Sequence, residues 1–205
     1  MGDHPEHLTA LAGGAGRAAV VIANAMDHVP DEVRRSGVQR ELTALSDLGL
    51  AASELDLRDY VGQQQRLRRD LARVAVAWLR GGNTFVLRHA LASSAGDVVF
   101  RDLLAADMLV YAGYSAGSCV LAPSLRGLEL VDDADAVRRM YGAEPIWTGL
   151  GLLDKAFVPH YRSPGHPETD AMDLVVARYQ AEGVAYRALR DGQALVVSGS
   201  AMKIV

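Results

Sequence analysis

The stretch that most constrains this chain is residues 109–122, Leu-Val-Tyr-Ala-Gly-Tyr-Ser-Ala-Gly-Ser-Cys-Val-Leu-Ala. An apolar run stops there at Gly113-Tyr114-Ser115-Ala116-Gly117, and a helix of small residues is predicted to begin. G-x-S-x-G between a strand and a helix is the context of a nucleophile elbow, a sharp strained turn that exposes the Ser hydroxyl. Only small residues at the two Gly positions let the strand and helix backbones pass that closely. Ser115 is therefore the candidate nucleophile. The same five residues also suit a plain turn in which the glycines permit packing and Ser115 caps the helix.

The chain on either side of the elbow alternates strand and helix signals. Ala18 to Ala23 is short, apolar and rich in β-branched residues, the pattern of a strand buried on both faces. Pro30-Asp31-Glu32 opens a helix whose apolar spacing runs from Val33 to Leu48. Leu50 to Leu57 is the next expected strand, with Glu54 and Asp56 too polar for its centre; Tyr60 to Arg73 is a charged helix. Val74 to Leu79 repeats the buried-strand pattern and breaks at Gly81-Gly82-Asn83-Thr84, before helices at Phe85 to Leu91 and Asp97 to Ala106. Gly81-Gly82 either presents backbone N–H groups to a ligand or forms an ordinary turn with Thr84 as helix cap.

Such alternation predicts a parallel sheet flanked by helices, an α/β protein with ligands at the carboxyl ends of the strands. Past Leu121 the pattern loosens: Pro123 to Asp135 reads as a surface excursion and Tyr141 to Leu153 as turns. Ala156 to His160 is a strand ending at a histidine, Pro167 to about Ala181 a helix and Val184 to Leu189 a strand. Asp191-Gly192 then turns into a last strand, Ala194 to Val197. Met1 to Arg17 offers no expected element and a flexible lead-in, and Lys203 to Val205 no separate unit, so one domain is expected over 1–205.

Half of the 205 residues are apolar, yet no apolar run approaches the roughly 18 residues that a membrane span requires. A net charge of −4 argues against a general nucleic-acid binder. The start has no secretion-signal pattern, and the lone Cys119 fits a reducing compartment, so cytoplasmic residence is expected.

A Ser hydroxyl needs an adjacent imidazole, itself held in one tautomer. His4 and His7 lie in the lead-in, near Asp3 and Glu6 without fixed geometry for a metal; His28 and His89 lie on helices or helix entries, and His166 in a Pro/Gly loop. His160, at a strand end, is the best base. Its orienting acid is expected in Asp191, although Asp-Gly is also an ordinary hairpin turn. Under the Ser, acid, His order of α/β-hydrolases, an earlier acid among Asp132, Asp133 and Asp154 would be needed instead.

Gly81-Gly82-Asn83-Thr84-Phe85, Gly113 to Gly117, Val158-Pro159-His160-Tyr161 and Leu189-Arg190-Asp191-Gly192 together resemble, in order and spacing, the peptidase E (aspartyl dipeptidase) family of serine peptidases, related to cyanophycinase. The resemblance implies a class I glutamine amidotransferase-like fold, with Ser115 as nucleophile, His160 as base and Asp191 as the acid, often Glu in that family. It implies an oxyanion hole from the N–H of Ala116 and one from the Gly82 loop, and Asn83 at the substrate. It brings Asp170 to the position where aspartyl dipeptidases carry an Arg for the substrate's acidic residue, so acidic specificity does not carry over. Arg162 or Arg178 are the available replacements.

The expected function is a peptidase acting on dipeptides or short peptides, as monomer or homodimer, without metal or organic cofactor. An esterase or acyltransferase on the same elbow, a noncatalytic binding protein and a reaction through Cys119 remain as alternatives.

Overall fold

A computed structural model describes residues 2–205. Its centre is a four-stranded, wholly parallel sheet of β1 (Ala18–Ile22), β2 (Ala51–Glu54), β3 (Val76–Leu79) and β4 (Val110–Gly113), in the order β2-β1-β3-β4. Alternate residues of the two central strands enter different cores, as the period of a strand dictates. Val20, Ile22, Ala77 and Leu79 face one core, with Leu67 and Leu71 of α3 (Gln64–Leu71), Leu87 and Leu91 of α4 (Thr84–Ser93) and Phe100 and Leu103 of α5 (Gly96–Ala105). Ala19, Val21, Val76 and Trp78 face the other, with Leu45 of α2 (Asp31–Asp47) and Ala12, just past α1 (Glu6–Leu11). Burial on both faces is why β1 and β3 read as continuous apolar runs.

The rest of the chain builds a third core. It gathers Phe85 and Val86 of α4, Cys119 of the short α6 (Ala116–Cys119) and Val137 of α7 (Asp135–Tyr141). Val158 of β5 (Ala156–Val158) and Val175, Val176 and Tyr179 of α8 (Thr169–Glu182) complete it. β5 pairs in parallel with β6 (Tyr186–Ala188), and β7 (Leu195–Ser198) forms an antiparallel hairpin with β8 (Ala201–Ile204). The architecture is thus α/β, a central parallel sheet flanked by helices.

Several expectations need correction. The lead-in is not featureless: α1 forms there, and Ala12 is buried with Leu8 packed beside it. The charged helix begins later than Tyr60, after a 3-10 turn at Leu57–Tyr60. The strand at Leu50 to Leu57 is shorter, because Asp56 leaves it to cap that turn, accepting from Arg58 N–H. Pro123 to Asp135 is no surface excursion, since Leu125 and Leu128 are buried in the third core. The polar lysine in Ala-Met-Lys-Ile concealed β8, an exposed strand of two-residue period.

Strand order reverses at β1, whose neighbours are β2 on one side and β3 on the other. That switch point opens a crevice at the carboxyl ends. A 3-10 turn, Asn24–Met26, follows β1 there, and Gly81-Gly82-Asn83 follows β3 beside it, with Asn83 N–H donating to Ala25 C=O at 2.9 Å.

Candidate active site

Ser115 sits between β4 and α6 at φ 51°, ψ −120°, a region that L-residues rarely adopt. Holding it there costs on the order of 1–3 kcal/mol, so the surroundings must impose it. They do so through the two motif glycines. A Cβ on Gly113 would lie 2.7 Å from the Leu79 carbonyl oxygen, and one on Gly117 would collide with the same oxygen. The elbow is therefore pressed against the end of β3. Gly81 completes the contact: its Cβ would stand 2.8 Å from Ser115 Cβ and 2.9 Å from the Tyr114 ring.

The glycine loop thus lies against the candidate nucleophile, and it does so without a ladder of its own. Among the described residues, the N–H groups of Gly81, Gly82 and Ala116 find no acceptor. Gly82, at φ 146°, cannot be replaced without strain, and its Cβ would meet Ala25 C=O at 2.6 Å.

β5 ends at Val158, and after Pro159 the chain turns at His160, which adopts φ 56°. Its Nδ1 lies 2.6 Å from Asp191 Oδ1, and its side chain is 12% exposed. With Nδ1–H donating to the carboxylate, Nε2 is the nitrogen left for chemistry. Asp191 is itself held: its N–H donates to the buried Ser163 Oγ at 2.8 Å, and Ser163 N–H donates to Thr169 Oγ1. Thr169 Oγ1 in turn donates to His160 C=O at 2.7 Å, closing a ring of contacts around the His–Asp pair. α6, directly after Ser115, packs on β5, and Cys119 Sγ reaches Phe157 C=O at 3.7 Å.

His166 lies face to face with His160, ring centroids 3.6 Å apart and planes within 4°. Glu168 joins them, the three offering ligand-type atoms within 4.8 Å of one another. Parallel imidazoles send their lone pairs side by side, however, whereas a tetrahedral ion needs them to converge. Glu168 N–H moreover donates to His166 Nδ1 at 3.2 Å. The trio does not fit a metal ion as it stands. His4 and His7 lie 6.2 Å apart, with His4 Nδ1 on Glu6 at 3.1 Å.

Asn83 is placed differently from the expectation of a substrate contact. Its Oδ1 accepts from Phe85 and Val86 N–H, and its Nδ2 donates to Asp133 C=O at 2.8 Å. It is the N-cap of α4, the task expected of Thr84, and its buried amide is committed to the fold.

Asp170 is exposed in the first turn of α8. Arg162 faces Asp173 at 3.9 Å on the surface, and Arg178 is paired with Glu129 and Glu182. Cys119 is buried, which pushes its thiol well above the ordinary range and keeps it protonated. Asp133 pairs with Arg139. Asp132 Oδ2 accepts from Thr84 N–H at 2.9 Å, and burial pushes its carboxyl up to about 6 despite the bonds from Thr84.

Sequence reasoning missed Ser163 and Thr169, whose role exists only once two distant loops meet. The Ser-Pro-Gly-His-Pro-Glu-Thr run, residues 163–169, was a usable signal, since a loop so rich in Pro and side-chain acceptors tends to fold on itself.

A model of peptidase family S51 matches residues 4–205. Two solved structures share the fold: a candidate peptidase E protein from Listeria monocytogenes EGD-e and a peptidase from an acI-B1 Actinobacterium. The first has TM-score 0.76 and 22% identity, covering 93% of this chain and 86% of its own. The second has TM-score 0.69 and 14% identity, covering 99% of this chain and 82% of its own. No curated protein matches by sequence.

Proposed function

Because this chain belongs to peptidase family S51, we propose that it is a serine peptidase hydrolysing dipeptides or short peptides through Ser115, His160 and Asp191. The observation that carries the reading is the His160–Asp191 contact of 2.6 Å, together with a glycine loop pressed on a strained Ser115. Ser115 Oγ attacks the scissile carbonyl while His160 Nε2 takes its proton. Asp191 holds the imidazole in the Nδ1–H tautomer and stabilises the imidazolium that forms.

The unpartnered N–H groups of Ala116 and Gly82 receive the oxyanion, one such donor being worth roughly 3 kcal/mol of barrier. His160 returns its proton to the leaving amine as the C–N bond breaks. Water then adds to the acyl-enzyme with His160 as base, releasing the acid and Ser115.

Glu168, a carboxylate beside the base, suits a substrate with a free α-ammonium, which a short peptide supplies. Of the two candidate replacements, Arg178 is paired with Glu129 and Glu182 and Arg162 faces Asp173 on the surface, while Asp170 is itself acidic. Neutral or basic N-terminal residues are therefore preferred.

The test is a dipeptide library spanning acidic, neutral and basic N-terminal residues, incubated with wild type and Ser115→Ala while free amino acids are measured. Release by wild type alone, highest on non-acidic residues, is the expected result. Equal activity in both proteins removes Ser115 from the mechanism. Inactivity of both, with turnover of simple esters by wild type, replaces peptidase by esterase.

A further inference from the structure

Behind the elbow, away from the reacting atoms, one carboxylate gathers donors from both segments that form the site. Glu41 lies in the middle of α2 with its side chain 13% exposed. Its Oε1 accepts from the Tyr114 hydroxyl at 2.7 Å, and its Oε2 from Trp78 Nε1 at 2.9 Å. Arg80 Nε stands 3.3 Å from Oε1 as an ion-pair contact without hydrogen-bond geometry, and Arg80 Nη1 donates to Gly81 C=O at 3.1 Å. Tyr114 immediately precedes Ser115, and Arg80 immediately precedes the glycine loop.

The α2 side of this contact is shaped for it. A Cβ on Gly37, one turn before Glu41, would lie 3.0 Å from Arg80 Cζ, so the guanidinium needs a bare backbone to lie flat on the helix. Replacing buried ion pairs with apolar residues is often neutral or stabilising, so stability alone does not account for the cluster. What it does achieve is geometric. The nucleophile and the Gly82 donor follow different strands, and Gly81 leaves no slack between them, with its hypothetical Cβ 2.8 Å from that of Ser115.

We infer that Glu41 is a positioning residue: by binding Tyr114 and Arg80 together it fixes the spacing between Ser115 and the Gly81-Gly82 donors. Oxyanion donors act on charge that develops only in the transition state. A loosened spacing therefore lowers kcat and leaves KM nearly unchanged. The kinetic part rests on the serine-peptidase reading; the coupling of the two segments does not.

The experiment pairs kinetics with backbone hydrogen exchange on wild type, Glu41→Gln, Tyr114→Phe and the double variant. Gln keeps the volume of Glu but removes the charge that faces Arg80 and offers one acceptor and a competing donor to the two donors, Tyr114 and Trp78. Exchange is expected to rise in Glu41→Gln at the bonded N–H groups of Asn83, Tyr114 and Gly117 together, while the core of β1 and β3 stays protected. On the preferred dipeptide, kcat is expected to fall about tenfold with KM within about twofold, and the double variant to be no worse than the worse single.

Unchanged exchange at the two segments, or exchange rising over the whole sheet, overturns the inference. So does an unchanged kcat, or additive loss in the double variant. If wild type hydrolyses no substrate, the peptidase reading fails, while correlated exchange at the two segments still supports the coupling and its absence still overturns it.

Discussion

Ser115 carries backbone strain that suits the proposed nucleophile and does nothing for stability. Gly populates φ 51°, ψ −120° without a Cβ penalty, so Ser115→Gly is expected to be more stable than Ser115→Ala by about 1–2 kcal/mol, read from denaturant unfolding. Equal stability of the two would mean that the turn is relaxed. At this scale the sequence was most legible where a residue has one possible use: glycines that admit no side chain announced the elbow. It was least legible at Asn83, whose amide serves equally well as a ligand contact or as a helix cap. Only the position of Phe85 and Val86 N–H groups decides between them.

Among the elements, α2 does more than cover the sheet. Arg34, buried on it, reaches Asp27, Glu54 and Asp56 at 2.7–3.0 Å, and Asn24 Nδ2 donates to Asp27 and Asp56. This network fastens the turn after β1, on which the Gly82 loop rests. Burial alone would raise the carboxyl of Asp56, but hydrogen bonds from Arg58 and Asn24 and the Arg34 charge outweigh it and hold it at about 2.

A depressed carboxyl stabilises the fold above its unfolded value near 3.8 and stops doing so as pH falls through 2. Asp56→Asn is accordingly expected to cost about 2 kcal/mol at pH 7, a difference that shrinks below pH 4 in denaturant titrations. A pH-independent difference would assign the loss to packing. Glu54 and Asp56 were readable as misfits in a strand, but their partner, 20 and 22 residues earlier on a helix, was not. Charge pairing across elements leaves no periodicity to read.

For the molecule as a whole, alternation of apolar runs with helical spacing was enough to give the parallel sheet, because β1 and β3 are buried on both faces. The later half was harder. β5 and β6 have three residues each and owe their existence to α8 and the third core rather than to any pattern of their own. No helix among the described residues is long and apolar enough to cross a membrane.

The site divides along the same line. Ser115 and the glycine loop ride on the central sheet, whereas His160 and Asp191 ride on the β5–β6 pair, which shares no ladder with it. Between them Gly142 ends α7, exposed, with open space where a side chain would go. A cut at this exposed turn thus parts nucleophile from base, while the third core and the backbone bonds of residues 149–152 to Val120–Pro123 still join the two pieces. Expressed separately, residues 1–142 and 143–205 are each expected to be inert, one holding a nucleophile without a base and the other a base without a nucleophile. Mixed, they have the third core through which to recognise each other, and recovered Ser115-dependent turnover would make the pair a natural reporter of proximity for any two proteins fused to its halves.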